Sequence, residues 1–144
     1  MDAALVAAVA HVATTAAYAG FQATVRVLVY PQMAAVPVPA FAGYEASHTR
    51  RVSLVVGPLF AALGASTVAL LVVPGVPRTA GLAAALLLAG LLAVTAFGAV
   101  PQHSRLGAGF DPAAYRRLLR WDGVRLALAL AALAVAAVTV GAVG

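Results

Sequence analysis

Four stretches of this chain, residues 3–30, 52–73, 79–100 and 123–143, run almost without a charged side chain. Each matches or exceeds the ~20 residues that an α-helix needs to cross the hydrocarbon core of a bilayer. A soluble bundle would carry a polar stripe on every helix, and "LAAALLLAGLLAV", residues 82–94, carries none. The expected fold is therefore all-α: a polytopic membrane protein, residues 1–144 forming a single antiparallel bundle of four transmembrane helices joined by short connections.

Composition supports the same reading. In 144 residues, 64% are hydrophobic and 9% charged, and the mean hydropathy is +1.02. That exceeds what a soluble domain of this size uses to fill a core. The absence of cysteine excludes disulfides and thiolate chemistry. The first run reads as a span and not as a cleaved leader, because only Met1 and Asp2 precede it and neither supplies a positive n-region.

The net charge of +5 points to lipid and not to nucleic acid, because of where it lies. Arg50 and Arg51 precede the second span, and Arg105, Arg116, Arg117, Arg120 and Arg125 gather around the start of the fourth. Both groups fall on one side of a four-span chain, whose other side holds Asp2 and Arg78. The positive-inside bias then puts both longer connections in the cytoplasm and both termini outside, in a bacterial cytoplasmic membrane. Arginines so placed also suit anionic headgroups.

Pro31 is expected to end the first helix, with a bend at Pro37 to Pro39. Residues 41–51 then form either a short cytoplasmic helix or an extension of the second span. "VVPGVPRT" reads as a tight outer hairpin. Gly81, Ala85, Gly90 and Thr95 make the third span a packing helix. Asp111 followed by Pro112 is a helix start, with residues 113–122 helical and running into the fourth span.

Polar residues inside the spans carry the functional question. Tyr18, Gln22, Arg26 and Tyr30 recur every four residues, extended outward by Thr15 and His11. Such a stripe should face the bundle, since a lipid-exposed arginine is costly unless it reaches the interface, and Arg26 lies near enough to Pro31 to do so. A buried guanidinium needs a partner, and Glu45 and Asp122 are expected to form a charge network around Arg26 and Arg125. This network fits a structural role as well as a catalytic one. His103, at the exit of the third span, is expected to meet His48 in the bundle as an acid/base unit. Two histidines without HxxH or HxxxH spacing, and with His11 toward the other side, do not suggest a metal, so no metal or cofactor is expected.

The ordered pieces "VRVLVYP", "YEASHTRR", "VVGP", "VPQHSRLGAGFD" and "LLRWDGVR" resemble a family of small four-helix integral membrane proteins. That family includes the anthrone oxygenases of polyketide pathways and many bacterial members of unknown activity. The resemblance spans nearly the whole chain and rests most on Pro31, on Pro101 with His103 and Leu106, and on Trp121 with Arg125. Where the family commonly has an asparagine after the exit proline, this chain has "QHS".

The resemblance implies cofactor-independent oxygenation of a flat anthrone by molecular oxygen. His48 or His103 would remove a proton, and Arg26 and Arg125 would stabilise the enolate. Gln22, Tyr30 and Tyr18 would hold the substrate, on which Trp121 would stack. Two other classes fit the same polar face: a protein that binds or moves a small hydrophobic molecule, and a structural subunit or homo-oligomer. A proton-coupled exporter fits less well, because no carboxylate lies in the middle of any span.

Overall fold

Two prolines expected to end helices lie within them. Pro31 and Pro101 each lack the amide proton that an α-helix uses at every residue, and each ring crowds the carbonyl four residues back. Just before each proline the helix widens into a π turn, Val25–Val29 and Val94–Ala99. There the Tyr30 amide donates to the Val25 carbonyl and the Val100 amide to the Thr95 carbonyl, a step of five residues. The wider turn makes room for the ring, and the helix resumes beyond it.

The computed structural model describes residues 2–144. It holds four long helices: α1 Ala3–Ala34, α2 Val38–Val72, α3 Arg78–Leu106 and α4 Pro112–Val143. The expected boundaries shift accordingly. The first helix passes Pro31 and ends at Ala34, and the third passes Val100 and ends at Leu106. Residues 41–51 are the opening turns of α2 and not a separate helix. Residues 113–122 likewise belong to α4, whose first turn is capped by the Asp111 carboxylate accepting from the Ala113 amide at 2.8 Å.

The chain is an all-α, multi-pass membrane bundle. α1 packs most extensively against α4 and also against α2, and α3 closes the ring by packing against α4 and α2. Large apolar side chains face outward on every helix, Val27, Leu54, Leu86, Phe97 and Val138 among them, as a lipid-facing surface requires. The core is layered along the axis. Ala7, Ala8, Leu70 and Ala84 pack near the α2–α3 hairpin; Tyr18, Leu63, Leu91 and Ala129 fill the middle; Tyr30, Met33, Phe41, Leu106 and Leu118 fill the far end.

The hairpin is tight. Gly75 takes a positive φ of 90° that favours glycine. A Cβ on Gly81 would stand 3.1 Å from the Leu70 carbonyl oxygen, so α2 and α3 touch nearly backbone to backbone there. At their other ends the two helices stand apart around a cavity.

Candidate functional site

Asp122 is the anchor of the polar interior. Its side chain is 0% exposed, so its charge is bearable only if every lone pair direction is answered. Oδ1 accepts from Gln22 Nε2 and from Arg125 Nη2, the latter at 3.1 Å, and Oδ2 faces Arg26 Nη1 at 3.4 Å. Arg125 Nη2 also donates to the Tyr30 hydroxyl at 3.2 Å. Arg26 Nη1 donates to the Leu119 carbonyl at 2.5 Å, and its side chain is 38% exposed. It therefore does both things open to a membrane arginine, pairing inward while reaching toward the bundle's edge.

The second carboxylate makes a different pairing from the one expected. Glu45, buried at the start of α2, meets neither Arg26 nor Arg125; its Oε1 lies 2.6 Å from His103 Nδ1 on the α3 extension. The reason is the continuation of α3 past Pro101, which carries His103 along the bundle to the level of Glu45. His48 stacks against His103 with ring centroids 5.6 Å apart, and Tyr44 stacks on His48 at 6.2 Å. With neutral histidines, Arg26 and Arg125 balance Asp122 and Glu45 in charge. Among the described residues no set of three or more His, Asp or Glu side chains is arranged to hold a metal ion.

Beside these groups lies a cavity of ≈ 450 Å³, within the range of small-molecule sites. His48, His103, Glu45, Tyr30 and Arg125 line its polar end; Phe21, Val25, Val52, Val56, Ala99 and Val100 form apolar walls. Of seven buried side-chain polar atoms without a hydrogen-bond partner among the described residues, two belong to residues that line the cavity, Glu45 Oε2 and Arg125 Nε. Such orphans are costly in a low-dielectric interior.

The other expected site residues are placed elsewhere. Gln22 and Arg26 are not in the cavity wall; they hold Asp122 and the α1–α4 contact. Tyr18 is buried deeper, tilted against Phe60 with centroids 5.1 Å apart. Trp121 packs on the outer face of α3, where Gly98 leaves room for its indole, and does not stack into the cavity. Its position follows from α4 geometry: Asp122 and Arg125 point inward three residues apart, which turns Trp121 toward the rim.

Thr49, Thr95, Ser53 and Ser104 also line the cavity, and no expectation named them as site residues. Continuing the Glu45–His48 face along α2 at helical spacing reaches Thr49, Val52, Ser53 and Val56, so part of the signal was present. His11 lies apart near the hairpin end, with Nδ1 2.9 Å from Ser66 Oγ, which is itself 2.8 Å from Thr14 Oγ1. Compared with models of protein families, with curated proteins and with solved structures, the chain matches none of them.

Proposed function

We propose that this protein is a membrane-embedded, cofactor-independent oxygenase-like enzyme acting on a flat hydrophobic phenol of the anthrone type. The observation that carries the reading is the Glu45–His103 pair in the wall of a largely apolar cavity, beside the Arg125 guanidinium. A carboxylate on Nδ1 favours the tautomer with the proton there, and leaves Nε2 free to accept one. Glu45 then stabilises the imidazolium that forms.

An anthrone carries a ring methylene made acidic by the ketone across the ring. His103 takes one methylene proton, and Arg125 with the Tyr30 hydroxyl stabilises the negative charge that spreads onto the ketone oxygen. Molecular oxygen adds to the electron-rich carbon, and the peroxide anion so formed takes the proton back from His103 to become a hydroperoxide. Loss of water, carrying the second methylene hydrogen, leaves a carbonyl. One anthrone and one O₂ thus give one anthraquinone and one water. His48, stacked on His103, limits how that ring can turn.

We place the protein in a bacterial cytoplasmic membrane with both termini outside, on the strength of the arginine distribution. The gap between α2 and α3 favours a second reading, a protein that binds or moves a hydrophobic molecule without altering it. Oxygen uptake by the purified protein with dihydroxyanthrone, without added flavin, nicotinamide or metal, separates the two. Uptake well above the spontaneous rate is expected, falling ~100-fold or more in His103→Ala while circular dichroism stays native. Uptake no faster than the spontaneous reaction would overturn the oxygenase.

A further inference from the structure

The wall of the cavity is missing on one side. α2 and α3 touch at Gly81 and Leu70 but diverge toward Val52 and Val100, and the cavity occupies the space between them. Val100 lines the cavity and is also 55% exposed on the outer surface of the bundle, and Ser53 of α2 likewise lines the cavity and is exposed. The cavity is therefore continuous with the surface that faces lipid.

Depth adds a direction. Counted from the hairpin, ~20 residues of helix cross the hydrocarbon layer, which brings its far boundary to about Val52 on α2 and Phe97 on α3. The mouth beside Val52, Val56 and Val100 opens near the edge of the acyl chains. Glu45, His48 and His103 lie one to two turns beyond, at headgroup level. The site is apolar on its bilayer side and polar on its aqueous side, like the boundary it sits in.

Of the buried polar atoms left without a partner, the two that belong to lining residues bear on the head of the ligand. Glu45 Oε2 asks for a donor and Arg125 Nε for an acceptor. A fatty acid carboxylate or a phosphate offers only acceptors and would face Glu45 in repulsion. A phenolic hydroxyl, or a ring ketone beside one, offers both.

We propose that the natural ligand is a hydroxylated ring bearing a long alkyl or prenyl chain, which slides in sideways from the leaflet between α2 and α3. Its ring sits between Glu45 and Arg125, and its chain stays in the lipid past Val52 and Val100. This rests on the reading of the cavity as a ligand site and narrows its substrate class.

The test is equilibrium binding to the protein in phosphatidylcholine nanodiscs, with three probes: dihydroxyanthrone, the same ring carrying a decyl chain, and palmitate. For each probe, depletion from protein-free nanodiscs is subtracted, so that partitioning into lipid is removed. The alkylated ring is expected to bind at least ~10-fold tighter than the bare ring, about the gain of 1.4 kcal/mol, and palmitate should not displace it. Val100→Trp, which fills the mouth from a lipid-facing position, should weaken the alkylated ring by a similar factor. Glu45→Gln should weaken both rings and leave palmitate unimproved; gel filtration and circular dichroism identify a misfolded variant, for which Val100→Trp still decides.

Equal affinity for the two rings, or binding unaffected by Val100→Trp, would overturn the sideways chain. Displacement by palmitate would overturn the phenolic head. Oxygen uptake from the bare ring together with equal binding would leave the reaction standing and remove this inference. Tight binding of the alkylated ring without oxygen uptake would do the reverse.

Discussion

Asp122 shows how much one buried side chain can organise. It gathers Gln22 and Arg26 of α1 and Arg125 of its own helix around a single carboxylate. Asp122→Ala should cost about 3–5 kcal/mol, because Arg125 is left as an uncompensated buried cation. Replacing both, as Asp122→Leu with Arg125→Met, should recover most of that loss, since Arg26 can still turn outward. Unfolding of the three proteins in mixed micelles against rising SDS checks it; a double variant no more stable than the single one would refute the ion-pair account. The α1 stripe was legible as spacing, but its true geometry was not. At ~100° per residue, Tyr30 would sit ~80° away from Gln22 on a regular helix. The π turn absorbs one extra residue and brings Tyr30 back to within ~20° of Gln22. Hence Gln22 and Tyr30 are both buried while Arg26, between them, lies at the edge. Nothing in the residue types of "VRVLV" announces a π turn; only the proline behind it does.

The elements meet where side chains are smallest. A Cβ on Gly98 would fall 2.6 Å from Trp121 Cδ2 and 2.7 Å from Cγ, atoms too near the backbone to swing aside. Gly98→Ala is expected to destabilise the α3–α4 contact by about 1–3 kcal/mol, as overpacking does. Adding Trp121→Ala should return part of it. The same unfolding measurement applies, and a Gly98→Ala protein as stable as the wild type would show that the indole is free to move. Helix number and order were readable from the apolar runs alone, because backbone polar groups in lipid leave no alternative to helices. Helix ends were not, because prolines stop a helix only where no wider turn relieves them. The same early end, at residue 100, also hid the Glu45–His103 pair, since the helix in fact carries on past His103 to Leu106.

For the whole molecule, the arginines predict orientation. Reporter fusions after Gly75 and at Gly144 should both report the outer side of the membrane, and a C-terminus on the inner side would reverse the placement of the cavity as well. The His48–His103 stack and the pairing of Glu45 all lie on the helix extensions beyond the hydrocarbon layer, at the arginine-rich end. The extensions have one more effect. α2 runs 35 residues, far more than the ~20 that span a bilayer, so the level at which lipid meets water along it is set by membrane thickness and not by the protein. In a thick, ordered bilayer the acyl chains would climb past Val52 toward Glu45 and drown the polar end; in a thin one, water would reach the mouth at Val100. The cavity is in effect a float gauge, its wetness read off the membrane around it.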